Sequence, residues 1–101
     1  EISAVEGVFW AMVDASQALL MSVKVLPPSP EHIGLMLKKN FVDKKLLKLK
    51  YVTWYQEIFD LHKKVLHGEV KDIKGDIIDG WQDRAEEYFN VSMKLIEQII
   101  Q

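Results

Sequence analysis

The opening segment constrains this chain more than any other. Between Ile2 and Val25 there is no proline and a single glycine, and apolar residues recur at Val5, Val8, Phe9, Met12, Ala15, Leu19, Leu20 and Val23. That three-and-four spacing predicts a helix. Nearly its whole circumference is apolar, which predicts a central helix covered on more than one side. A second stripe of small residues, Ala4, Ala11, Ala15, Ala18 and Ser22, lets another helix approach closely. Core packing is the plain reading of both stripes. The apolar stretch from Gly7 to Val23 is short for a bilayer span and carries Asp14 near its middle, so it reads as buried in protein, with no membrane partner. Glu1 and Glu6 stand where a signal peptide carries Lys or Arg. The chain does not begin with Met, which predicts a piece of something longer.

Leu26-Pro27-Pro28-Ser29-Pro30 stops the first helix, because proline cannot donate a ladder hydrogen bond and restricts the residue before it. Ser29 suits an N-cap with Pro30 at the first helical position. A short second helix is predicted over Pro30 to Asn40, burying Ile33, Leu37 and Met36, with Asp43 as the cap of the next. The third helix is predicted from Lys44 to His67, ended by Gly68 in the left-handed position. Gly68 to Gly75 reads as irregular, with a helical turn available to Val70–Lys74. The fourth runs from Asp76 to the end, with Ile78, Trp81, Ala85, Tyr88, Ser92, Leu95 and Ile99 on one stripe and Ile77, Phe89, Ile96 and Ile100 beside it. No strand alternation, internal repeat or low-complexity tract interrupts this pattern. The expected fold is all-α, an up-and-down four-helix bundle whose short loops favour antiparallel neighbours.

Size and charge narrow the function. One domain fits within 101 residues. A formal charge of −2 argues against a surface devoted to neutralising phosphates, although a local basic patch remains open. The absence of cysteine removes disulfides, thiolate catalysis and Cys-type zinc sites, and fits a reducing cytoplasm and equally any chain that needs no thiol.

Few residues offer chemistry. Lys38, Lys39, Lys44, Lys45, Lys48 and Lys50 place six of the thirteen Lys and Arg residues close together, beside Phe41, Tyr51 and Trp54. Such a cluster suits nucleic-acid phosphate or an acidic partner, and equally a solvated face. Asp72, Asp76, Asp79 and Asp83 share one face if a single helix carries them, but Gly75 interrupts it, and acidic residues in a first turn are favoured by the macrodipole alone. No metal is expected. His62 and His67 sit five apart and diverge on a helix, His32 has no visible partner, and no histidine–carboxylate pair is legible from spacing. Gly68 and Gly75 do not have the spacing of a phosphate-cradling loop.

Three segments resemble the HEPN family, small helical domains named for nucleotide binding in higher eukaryotes and prokaryotes. Phe9-Trp10-Ala11-Met12-Val13-Asp14-Ala15-Ser16-Gln17-Ala18-Leu19-Leu20 resembles its central Ala-rich helix. Pro28-Ser29-Pro30-Glu31-His32-Ile33 resembles its turn into the short helix, and Asp83-Arg84-Ala85-Glu86-Glu87-Tyr88-Phe89 its late helix. The likeness spans most of the chain, and it implies a first family helix upstream of Glu1 or reduced to a few residues. It further implies homodimers, a nucleotidyltransferase partner, nucleotide binding and, in some members, a metal-independent ribonuclease with an Arg followed four to six residues later by His. The only arginine here is Arg84, and Phe89, Asn90 and Val91 occupy the positions of that His. The resemblance therefore implies a module without the usual catalytic pair, and Arg84 reads as an ion-pair partner of Glu87 three residues on.

The expectation is a non-catalytic HEPN-like module in the cytoplasm, needing no cofactor, that dimerises and partners a nucleotidyltransferase-type protein or binds nucleotide. Its candidate ligand contacts are Arg84, Lys38, Lys39, Lys44 and Lys45. The alternatives are a ribonuclease in which Arg84 meets a His from elsewhere and the lysines hold RNA, and a helical protein-docking domain with no small-molecule site.

Overall fold

The computed structural model describes residues 2–101; Glu1 lies outside them. The chain is an all-α helical bundle: α1 (Ile2–Ser22), α2 (Pro30–Leu37) continued by a π-helical segment (Lys38–Val42), α3 (Leu49–Leu66) and α4 (Gly75–Ile100), with no strand among the described residues. No helix is long and apolar enough to cross a membrane.

As its all-round apolar pattern predicts, α1 is the central element and packs against α2, α3 and α4. Val5, Val8, Phe9, Met12, Val13, Ala15, Leu19 and Leu20 are buried along it. They join Ile33, Leu37, Phe41, Tyr55, Ile58, Trp81, Tyr88 and Leu95 in one apolar cluster. Two polar side chains from opposite ends of the sequence meet inside it. Ser16 Oγ donates to the carbonyl of Met12 at 2.6 Å, so the hydroxyl of Tyr88 serves as donor to Ser16. No buried side-chain nitrogen or oxygen among the described residues lacks a hydrogen-bond partner, as a stable core requires.

Contacts fix the helix directions. His62 meets Glu6 while Tyr51 meets Tyr88, the partner of Ser16, so α3 runs antiparallel to α1. Arg84 lies on Trp54 and Glu87 on Lys50, so α4 is antiparallel to α3 and therefore parallel to α1. The Pro-rich segment doubles back along α1, with Gln17 Nε2 donating to the Pro28 carbonyl at 3.0 Å and Tyr55 donating to the Pro30 carbonyl at 2.8 Å. Because that strap consumes one length of the bundle without being a helix, α1 and α2 point the same way. The alternation expected from short loops holds from α2 through α4.

Helix ends depart from the predicted ones for identifiable reasons. Lys24 adopts φ 64°, and Val25 N–H bonds back to the Leu20 carbonyl, the left-handed capping arrangement that closes a helix. It ends α1 before the prolines are reached. The second helix does not stop at Asn40 but widens into the π-helical turn, with Asp43 N–H reaching the Lys38 carbonyl. Lys45, at φ 61°, then forces the reversal, so α3 begins at Leu49 with Lys48 rather than Asp43 at its cap. Leu47 is buried from the turn, and Leu46 and Leu49 are exposed. Gly68 closes α3 at φ 73°, where the sequence places it. Val70–Lys74 forms no helical turn. Ser29 and Pro30 occupy the predicted cap and first position of α2, but the Ser29 hydroxyl donates to Glu31 and not to the helix backbone.

Candidate functional site

Three surfaces bear residues with chemical potential. The first is the corner between α3 and α4. Their antiparallel packing brings Trp54 near Arg84, whose guanidinium lies 4.7 Å from the Trp81 ring centre and 5.8 Å from that of Trp54. Planar guanidinium groups stack well on indole faces. One turn along, Lys50 Nζ lies 5.2 Å from the Trp54 ring and 5.1 Å from that of Tyr51. Glu87 is engaged by Lys50 at 3.1 Å and by the Tyr51 hydroxyl at 2.9 Å, so it is not Arg84 that takes this carboxylate. Those two contacts, the tyrosine hydroxyl first, hold the Glu87 carboxyl below its usual range. Its own hydrogen bond to Glu87 raises Lys50. Arg84 thus sits on aromatic rings with Lys50 across Trp54 from it, an arrangement that presents two cations and an indole to solvent.

Of the remaining lysines, Lys48 also acts on the Glu87 carboxylate. Lys38 pairs with Asp43 at 3.0 Å and lines the groove between α2 and α3 beside Gly34 and Gln56. Lys39 lies on the π-helical segment, and Lys44 and Lys45 on the exposed turn that follows. Asp72 precedes α4, and no group of three His, Cys, Asp or Glu side chains among the described residues is placed to hold a metal ion.

The second surface is a cleft between α1 and α3 that sequence spacing does not reveal. His62 is buried, its ring stacked on Phe9 with centres 4.0 Å apart and planes 8° from parallel. Its Nε2 lies 3.0 Å from Glu6 Oε1, and the other oxygen of Glu6 accepts from Trp10 Nε1 at 3.1 Å. Glu6 and Trp10 are four apart on α1, and this pairing was visible in principle; His62 comes from 56 residues away and was not. Above this group opens a cleft of about 490 Å3 with Phe59, Glu31 and Lys63 on its walls.

The third surface is a flank of α1 and α4. On α4, Arg84 and Glu87 turn toward α3, leaving Phe89 and Ile100 exposed on the other side with Met93 and Ile96 half-buried near them. On α1, Glu6 and Phe9 turn toward α3, and the outward face carries Gly7, Ala11, Asp14, Ala18 and Met21. The small-residue stripe is divided by the fold: Ala15 is buried against the core, while Ala11 and Ala18, one turn either side of it, are exposed. A side chain added at Gly7 meets nothing within 4 Å. No family model matches the chain, and no curated protein or solved structure matches it either.

Proposed function

We propose that this chain is a non-catalytic helical interaction module, HEPN-like in organisation and cytoplasmic, that pairs with a second copy of itself through α1 and α4 and serves a nucleotidyltransferase-type partner or binds nucleotide. The uncovered flank carries the reading. Phe89 and Ile100 are exposed on α4, and on α1 the small residues Gly7, Ala11 and Ala18 are exposed on a face that also carries Asp14; uncovered apolar side chains and room for close helix approach are features of surfaces buried in homodimers. The engagement of Arg84 by two indoles rather than by an acid–base partner supports a binding role over catalysis. Light scattering across a dilution series tests the pairing: a mass falling from twice the chain mass to the chain mass is expected, and a monomer at every concentration up to about 100 μM, well above typical dimer dissociation constants, overturns it.

The α3–α4 corner favours a second reading, in which Lys50 and Arg84 hold phosphate while a base stacks at Trp54. A ribonuclease would add a base from elsewhere. End-labelled RNA incubated in EDTA with the parent and with Arg84→Ala separates the possibilities: RNA bound but uncut by the parent and released by the variant is the binding module, and cleavage lost in the variant is the enzyme.

A further inference from the structure

We propose that the cleft between α1 and α3 is a binding site for an organic ammonium group, carried by a free quaternary ammonium compound or by a methylated lysine side chain. The walls are aromatic: half-exposed Trp10, Phe59 and the Phe9–His62 stack. Ring faces carry the negative end of the aromatic quadrupole and attract cations. Trp10 is fixed in place by its N–H donation to Glu6, and that bond pushes electron density into the indole, strengthening the face it offers. A volume of about 490 Å3 lies within the range of small-ligand sites.

Charge selects the ligand class. One carboxylate, that of Glu31, lines the cleft with one ammonium, that of Lys63, while Glu6 lies behind the wall with its two oxygens engaged by Trp10 and His62. The carboxyl of Glu31 is held below its usual range by its own backbone N–H and by the Ser29 hydroxyl, so it is charged at neutral pH. An anion meets the Glu31 carboxylate here, and a neutral apolar ligand that displaces Lys63 leaves it unanswered. The cleft already holds a cation in part: Lys63 Nζ lies 5.6 Å from the Phe59 ring centre. Lys63 therefore acts as an internal competitor that a better-fitting ammonium displaces, because a methylated ammonium loses less hydration than a primary one on entering an aromatic site.

The indole N–H resonance of Trp10 reports directly on occupancy, and it is identified by its absence from Trp10→Phe. The probes are choline, its neutral isostere 3,3-dimethylbutan-1-ol and a capped peptide containing trimethyllysine. Choline is expected to shift the resonance saturably and the isostere to bind at least several-fold more weakly. Trp10→Ala, followed through the neighbouring backbone amides, weakens choline by about threefold to tenfold, and Lys63→Met tightens it. Both positions are exposed enough to keep the fold intact, which circular dichroism checks. Tighter binding of the peptide than of choline assigns the side chain as the natural source, and the reverse assigns the free compound. Equal binding of the isostere, weaker binding after Lys63→Met, or no shift with either ammonium probe up to roughly 50 mM, the limit of weak recognition, overturns the proposal. None of these readouts depends on the oligomeric state, so they stand apart from the pairing through α1 and α4.

Discussion

The buried hydroxyl pair shows how single residues set the stability of this core. Tyr88 donates to Ser16, and Ser16 donates onward to the Met12 carbonyl. Removing the tyrosine hydroxyl leaves Ser16 satisfied, so Tyr88→Phe is expected to cost about 1 kcal/mol or less. Ser16→Ala strands the Tyr88 hydroxyl in a core site and is expected to cost about 1–3 kcal/mol, the larger of the two; urea denaturation checks the order. Alkali offers a second view of the same core. Burial pushes the phenols of Tyr55 and Tyr88 well above their ordinary range, so both remain protonated in the native state after unfolded tyrosine has begun to ionise near about pH 10. Their contribution is fully present below that pH and is lost as pH rises toward the native values. Tyrosinate absorbance above pH 10 is therefore expected to appear together with loss of helical circular dichroism; full ionisation of all three tyrosines in a folded chain contradicts the burial.

At the scale of elements, the three helices ending before loops use the same left-handed closure, but only one uses glycine. Gly68 takes φ 73°, and Lys24 and Lys45 take φ 64° and 61°. A side chain in this region costs about 1 kcal/mol relative to glycine. Lys45→Gly is expected to raise stability by roughly 0.5–1 kcal/mol, and Gly68→Ala to lower it by a similar amount; matching midpoints for parent and both variants in thermal melts contradict this. The same closures explain which element ends were legible. Gly68 announces itself, whereas a lysine at positive φ leaves no trace in composition, so the real end of α1 and the late start of α3 were hidden. The π-helical turn was hidden too, because Lys38–Val42 continues the periodicity of α2, and nothing in residue type separates five-residue from four-residue hydrogen-bond steps. The central place of α1 was legible because an all-round apolar helix has no other stable position. Along α4, Ile78, Trp81, Tyr88, Ser92 and Leu95 form the buried stripe as spaced, while the adjoining Ile77, Phe89 and Ile100 remain exposed.

For the whole molecule, the long-range meetings carry the functional content. Arg84 stands out in the sequence as the sole arginine, but its seat on Trp81 and Trp54 depends on α3 and α4 running antiparallel in one register. The Glu6–His62 pair depends on α1 and α3, and no spacing rule within one helix reaches it. The lysine run spans the π-helical segment, the turn after it and the first turn of α3. What is left over after folding is the flank of α1 and α4, the surface proposed to pair with its counterpart. Ala18 and Phe89 are exposed there, so a glutamate at either position leaves the monomer core untouched while placing charge in a paired surface. Sedimentation equilibrium of the parent and of the Ala18→Glu/Phe89→Glu variant is the direct measurement. A dimeric parent and a monomeric variant with unchanged helical circular dichroism are expected; a monomeric parent, or a variant that pairs as strongly as the parent, contradicts the account.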